Sequence, residues 1–98
     1  MTIYICGPTG LPERNYPAFS KAALTLEHHG YSVLSPVDID DGGKQQAWDW
    51  YMRATIKMLL RADSVALLPG WSSSKGANLE WEIAKALVLD IRELKEWL

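Results

Sequence analysis

Glu80 is the residue best placed for chemistry, because it follows Gly76 by one helical turn in a segment rich in small residues. Ala77 and Ala84 lie on the same predicted helix face and leave room above a carboxylate. A carboxylate near a helix N-terminus tends to stay ionised and can act as a nucleophile. Glu82 is the rival, but it lies about 200° around the helix from Glu80, so the two cannot face one cleft. Alternatively, both glutamates are solvated residues of the helix surface.

Serines before that helix form a candidate anion site. Ser73, Ser74 and Gly76 would place hydroxyls and free backbone N–H groups at the positive end of the helix, where a phosphate can bind. Simple N-capping by one serine explains the same residues. Gly7 and Pro8 begin a second loop whose backbone could approach a sugar or phosphate, although a tight turn is the simpler explanation. That loop matches neither a Walker A sequence nor the three-glycine dinucleotide fingerprint.

Other polar and aromatic residues give weaker signals. Asp63 begins a predicted strand, which puts it at the wrong end of a parallel sheet for a cleft. His28 and His29 end a helix and complement its dipole. No cysteine or carboxylate stands at ligand spacing from them, so we expect no metal site, and we expect no cofactor. Trp50 and Trp81 fall off the predicted buried stripes and could belong to a subunit interface or a base-stacking surface.

Alternating strands and helices must position these residues. Apolar runs predict strands at 2–6, 31–35, 63–68 and 90–94, and 3.6-residue periodicity predicts helices at 17–29, 47–61 and 76–88. Trp48 begins the apolar stripe of the second helix. Short connections and right-handed crossovers then give an α/β fold, with a mainly parallel sheet of four or five strands and helices on both faces. Ligands bind outside the carboxyl ends of such strands, which nominates loops 7–16, 36–46 and 69–75.

The composition is that of one globular domain spanning residues 1–98. Hydrophobic residues make up 48% and charged residues 22%, far from the signature of disorder. Ten basic and twelve acidic residues form no basic stripe, which argues against duplex nucleic acid as a partner. The single cysteine, Cys6, cannot form an internal disulfide and indicates a reducing compartment. No signal peptide or membrane-length apolar run is present, so we expect a cytoplasmic protein without a membrane partner.

Several short motifs, in this order and spacing, carry a resemblance to a known superfamily. They are Tyr4-Ile5-Cys6-Gly7-Pro8, Ala62-Asp63-Ser64-Val65-Ala66 and Gly76-Ala77-Asn78-Leu79-Glu80. Together they resemble the nucleoside 2-deoxyribosyltransferase-like superfamily over nearly the whole chain. The likeness is greatest to a small phage and bacterial family of unknown function within it, which shares the patterns Gly10-Leu11-Pro12, Asn15-Tyr16-Pro17-Ala18-Phe19 and Leu67-Leu68-Pro69-Gly70-Trp71.

The resemblance implies a flavodoxin-like three-layer fold, a homo-oligomer, and cleavage or transfer at the N-glycosidic bond of a (deoxy)nucleoside or its 5′-monophosphate. Glu80 would be the nucleophile, with Tyr4 beside it. Asp63 would contact the sugar or base and assist protonation of the leaving group. Ser74 would contact a 5′-phosphate. Water as acceptor would make the protein a hydrolase, and a second base would make it a transferase.

Two positions differ from the superfamily pattern, and two other functions remain open. Relatives often carry an aspartate at the position of Thr55 and a glycine at the position of Glu82. A nucleotide-binding module without turnover would keep the anion site and use Glu80 to hold a ribose hydroxyl. A nucleoside-phosphate hydrolase of the lysine-decarboxylase-like, cytokinin-activating type fits less well, because its paired glycines are absent at Pro69-Gly70-Trp71.

Self-association is the first testable expectation. A chain of this length buries only ~60–70% of the surface exposed by its unfolded state, which leaves little stability in reserve. We therefore expect sedimentation at micromolar concentration to show a dimer or a larger species. A single species of 11.0 kDa would contradict this expectation.

Overall fold

Four parallel strands form the centre of the computed structural model, which describes residues 1–11 and 13–98. Their order across the sheet is β2-β1-β3-β4, and their bounds are β1 Thr2–Cys6, β2 Ser32–Leu34, β3 Ser64–Leu67 and β4 Asp90–Glu93. The alternative of five strands is wrong for the described residues, where a 3-10 turn, Leu94–Trp97, follows β4. Pro12, from the Gly10-Leu11-Pro12 pattern, lies outside the described residues.

Helices cover both faces of this sheet, as predicted. Their bounds are α1 Tyr16–His28, α2 Trp48–Leu59 and α3 Lys75–Ala86. One face packs against α1 through a cluster that includes Ile3, Ile5, Phe19, Ala22 and Leu26. The other face packs against α2 and α3 through a cluster that includes Tyr4, Val65, Leu59, Ala77 and Ala84. Within the described part of the chain, no helix has the length and apolar character needed to cross a membrane.

Local sequence explains where these elements begin and end. The central strands β1 and β3 are buried almost throughout, as continuous apolar runs predict for parallel strands covered on both faces. Pro17 lies in the first turn of α1, where its missing N–H costs nothing. Gly30 follows that helix with φ +91°, a backbone conformation that glycine adopts without strain. The 3-10 turn that follows β4 is held against β3 by Trp97, whose indole N–H donates to Val65 O at 3.0 Å.

A switch in strand order lies between β1 and β3. The chain leaves β1 for β2 on one side and then crosses back to β3 on the other, so the loops after β1 and β3 diverge at this point. Gly7 follows β1 directly, and Leu68 N donates to Cys6 O at 2.9 Å beside it. A Cβ added to Gly7 would lie 2.9 Å from Leu68 Cβ. The close approach of the two strand ends therefore requires glycine at position 7.

Replacing Gly7 with alanine should destabilise the fold. The added methyl group would force the ends of β1 and β3 apart, and overpacking of this kind typically costs ~1–3 kcal/mol. We expect a lower urea midpoint, measured by circular dichroism. Ser20→Ala, at an exposed position of α1, is the control and should stay within about 0.5 kcal/mol of the parent. An unchanged midpoint for Gly7→Ala would contradict the close approach.

Candidate functional site

A cleft of about 300 Å³ opens beside the switch in strand order, at the carboxyl edge of the sheet. The loop after β1, one face of α2 and the first turns of α3 line it. These lining residues are Gly7, Pro8, Thr9, Gly10, Leu11, Trp48, Tyr51, Met52, Thr55, Ser74, Lys75, Gly76, Ala77 and Glu80. The cleft thus lies where an open parallel sheet binds ligands, and it uses two of the three loops nominated from the sequence.

Glu80 lies at the floor of the cleft with its side chain almost fully buried. The residue is 3% exposed, whereas Glu82 is exposed to solvent. Tyr4 Oη donates to Glu80 Oε2 at 2.7 Å, and the Cys6 thiol donates to Glu80 Oε1 at 3.6 Å and to Ala77 O at 3.4 Å. Of the two candidate glutamates, only Glu80 faces the cleft, and Tyr4 is hydrogen-bonded to it.

Burial dominates the electrostatics of this group. It raises the pKa of Glu80, while the Tyr4 hydroxyl, the nearby Thr55 hydroxyl and the Cys6 thiol act in the opposite direction and lower that pKa. Burial, followed by the negative charge of Glu80, also raises the pKa of the Tyr4 hydroxyl and of the Cys6 thiol. Both groups therefore stay protonated around neutral pH and serve as hydrogen-bond donors to the carboxylate.

Ser74 caps α3 beside the cleft, whereas Ser73 lies outside the cleft. Ser74 is the N-cap of α3, and its Oγ accepts from Ala77 N at 3.2 Å, so the capping explanation is confirmed for this residue. Ser73 is exposed and is not among the residues that line the cleft. Gly76 does line it, and a Cβ there would lie 3.0 Å from Met52 Sδ. Glycine thus leaves room for the Met52 side chain beside the cleft.

Asp63 lies at the opposite edge of the sheet from Glu80. Its Oδ2 accepts from Thr2 N at 2.9 Å, and its own N–H donates to Thr2 O at 2.9 Å, so it joins the starts of β1 and β3. This agrees with the sequence analysis, in which Asp63 begins a strand and therefore lies at the wrong end of the sheet for the cleft. Among residues 1–11 and 13–98, no three histidine, cysteine, aspartate or glutamate side chains are grouped so that they could hold a metal ion.

One of three tryptophans, Trp48, is placed differently from the sequence expectation, whereas Trp50 and Trp81 lie off the fully buried stripes as predicted. Trp48, assigned to an apolar stripe, is 47% exposed at the cleft, and the ammonium of Lys75 lies 4.2 Å from its ring centroid. Trp81 is half-buried and stacks on Trp71 with a centroid separation of 5.5 Å. Trp50 is exposed and lies outside the cleft lining. Periodicity identified the correct face of α2, but the start of that face extends past the core and lines the cleft.

A polar network that sequence analysis missed supports the cleft from outside. Arg14 Nη2 lies 3.1 Å from Asp41 Oδ2, and its Nη1 donates to Val37 O at 2.8 Å. Tyr51 Oη donates to the same Asp41 oxygen at 2.7 Å and accepts from Gln46 N at 3.2 Å. The Tyr51 hydroxyl and the Arg14 guanidinium hold the pKa of Asp41 below its usual range. The network thus ties the loops after β1 and β2 to α2.

The fold of this chain is also found in a solved structure. A solved structure of the 2-deoxyribosyltransferase from the psychrotolerant bacterium Bacillus psychrosaccharolyticus matches with a TM-score of 0.66 at 19% sequence identity, over 93% of this chain and 69% of that chain. This likeness confirms the predicted flavodoxin-like α/β fold.

The family itself is identified from sequence. The family model described as "Domain of unknown function (DUF4406)" matches residues 1–93, so the chain belongs to this family. This confirms the predicted likeness to a family of unknown function. Comparison with curated proteins found no match.

The raised pKa of Glu80 predicts a pH-dependent stability. Because the native pKa lies above the unfolded value, the contribution of Glu80 is fully favourable at low pH and is lost as pH rises through the native pKa. Glutamine at position 80 cannot ionise. We therefore expect the stability of the parent relative to Glu80→Gln to fall in urea titrations as pH rises above about 4, where a glutamate of the unfolded chain ionises.

Glu82→Gln is the matched control for this titration, because Glu82 is exposed on the same helix. Its stability should stay within about 0.5 kcal/mol of the parent, because the side chain is exposed. A difference between the parent and Glu80→Gln that stays constant with pH would contradict a buried carboxylate with a raised pKa.

Proposed function

We propose that this protein cleaves or transfers at the N-glycosidic bond of a (deoxy)nucleoside or its 5′-monophosphate, with Glu80 as the nucleophile. The observation that supports this most is a carboxylate, 3% exposed, at the floor of an open cleft. Burying a carboxylate costs free energy, and such groups concentrate at functional sites. The chain also shares its fold with a 2-deoxyribosyltransferase, whose name describes transfer of the same kind.

The two carboxylate oxygens suit different tasks in this reaction. Oε2 accepts the short hydrogen bond from Tyr4, whereas Oε1 faces the weak thiol donor of Cys6. Oε1 therefore keeps the more available lone pair and is the oxygen that attacks the anomeric carbon. A carbon–oxygen bond forms as the N-glycosidic bond breaks, and the electron pair leaves with the base, which takes a proton from water.

The glycosyl-enzyme ester formed in this way is resolved by an acceptor. Water attacks the anomeric carbon, gives up a proton and releases the free sugar, which regenerates the Glu80 carboxylate. A second base that attacks through its nitrogen gives a new nucleoside instead. Only ionised Glu80 is nucleophilic, so the rate should rise with pH through the native pKa of this group.

The sugar and a 5′-phosphate are assigned to the other walls of the cleft. The backbone of Gly7 and Pro8 lies where a sugar would pass. The first turn of α3, with Lys75 and Gly76, offers free N–H groups and one ammonium to a phosphate. Ser74 can donate its hydroxyl proton there while its oxygen caps the helix. This chemistry uses neither a metal nor a cofactor.

Asp63 is assigned a structural task in this proposal. Within one chain its carboxylate is engaged with Thr2 N at the edge of the sheet opposite the cleft. Protonation of the leaving base is therefore left to water that enters the open cleft, rather than to Asp63.

A nucleotide-binding module without turnover is the second candidate. Tyr4 and Cys6 occupy both oxygens of Glu80, and burial raises the pKa of the carboxyl group. The hydrogen bonds engage the lone pairs of the carboxylate, and the raised pKa lowers the fraction of Glu80 that is ionised, so both features make Glu80 a weaker nucleophile. Thr55, at a position where relatives often carry an aspartate, offers the site a neutral hydroxyl instead of a second carboxylate. Glu80 would then hold a sugar hydroxyl rather than attack the anomeric carbon.

Base release separates these two functions. Purified protein is incubated with deoxynucleosides and their 5′-monophosphates, with and without a second free base, and released or exchanged base is measured by chromatography. We expect turnover by the parent and its loss by about 1,000-fold or more in Glu80→Gln, because the attacking oxygen is removed.

Glu82→Gln is the control, since it removes an exposed carboxylate two residues away and should keep the parental rate. Release without exchange indicates a hydrolase, and exchange indicates a transferase. If the parent binds these compounds in calorimetry but releases no base across the panel, the binding module is correct and the catalytic proposal fails.

A further inference from the structure

Trp48 is the first residue of α2 and forms part of the cleft wall. Its side chain is 47% exposed, although tryptophan offers more apolar surface for burial than other residues. The ammonium of Lys75, the first residue of α3, lies 4.2 Å from the ring centroid, within cation–π distance. The two helix starts therefore meet across the cleft through a cation on an aromatic face.

One face of α2 connects this ring to Glu80. Trp48, Tyr51, Met52 and Thr55 recur at helical spacing and all line the cleft. Thr55, the last member of this row, lines the cleft together with Glu80. Trp48 lies two turns away, about 10 Å along the helix axis. A ligand whose reacting carbon lies at Glu80 can therefore extend along α2 until it reaches the indole ring.

The chemistry of an aromatic face selects a planar partner. Nucleobases stack on tryptophan whatever their hydrogen-bonding pattern, and a larger base covers more of the ring. The Lys75 ammonium covers the same ring in the free protein. A base and an ammonium cannot occupy one ring face together, so the arrival of the base requires the departure of the ammonium.

We infer that Trp48 is the platform on which the base of the substrate stacks, and that Lys75 covers this platform until the base displaces it. This inference rests on the proposed function, because it names the part of the nucleoside that the outer cleft holds. A stacking platform accepts several bases and favours purines. Trp48 thus raises the affinity for the base, and Lys75 lowers that affinity by competing for the ring.

Calorimetry tests this with deoxyadenosine and deoxycytidine as probes, on protein that carries Glu80→Gln so that no turnover interferes. Adding Trp48→Ala should weaken binding of both probes by about 10-fold or more, and Trp48→Phe should keep most of the affinity. Adding Lys75→Met removes the competing cation and should tighten binding of these uncharged probes by about 2- to 5-fold. Trp50→Phe, at an exposed position outside the cleft lining, keeps an aromatic ring beside Tyr51 and should leave affinity unchanged.

Unchanged affinity in Trp48→Ala, or weaker binding in Lys75→Met, would overturn the inference. If Trp48→Ala fails to fold by circular dichroism, Lys75→Met still decides it. Base release by the Trp48→Phe and Trp50→Phe variants with intact Glu80 is measured in parallel. If the parent releases base but affinity does not depend on Trp48, only the stacking platform is overturned. If binding depends on Trp48 but the parent releases no base, only the catalytic proposal is overturned. No saturable binding at all would overturn both.

Discussion

The buried hydrogen bond from the Tyr4 hydroxyl to the Glu80 carboxylate joins the central strand to the helix that borders the cleft, at 2.7 Å. A carboxylate removed from water is costly unless donors replace the lost solvent. Tyr4 and Cys6 supply those donors from the same face of β1, since alternate residues of a strand point the same way. Ala77 and Ala84, both buried on α3, let the helix approach closely enough for this contact. The position of α3 and the chemistry of the cleft thus depend on one another.

The surroundings hold this arrangement from both sides. Gly7 lets the ends of β1 and β3 approach each other, and Gly76 leaves room for the Met52 side chain of α2. Away from the cleft, the Arg14–Asp41 ion pair is 13% exposed on each side chain and shares its carboxylate with Tyr51, which itself lines the cleft. A partly buried pair with several hydrogen bonds fixes geometry better than an exposed one. The walls are therefore held by contacts that a bound ligand would not need to disturb.

Much of the fold followed from local patterns. The parallel α/β arrangement, helices on both faces and the cleft at the carboxyl edge were predicted correctly, because alternating apolar runs and short connections leave few topologies open. Helical periodicity separated Glu80 from Glu82, since two residues apart on a helix point to different sides. The position of Asp63 at the start of a strand likewise placed it away from the cleft. The resemblance added what periodicity could not, namely Tyr4 beside Glu80.

Only the tertiary structure decided which of these residues touch. Tyr4 and Glu80 stand 76 positions apart, and nothing in local sequence fixes a distance over such a separation. The Arg14–Asp41 pair was missed for the same reason. Trp48 was misplaced because a periodic pattern shows which residues share a helix face but not where that face passes the edge of its sheet. The sequence determined the elements and their faces, whereas the burial of Glu80 and the exposure of Trp48 arise from packing, which depends on every element at once.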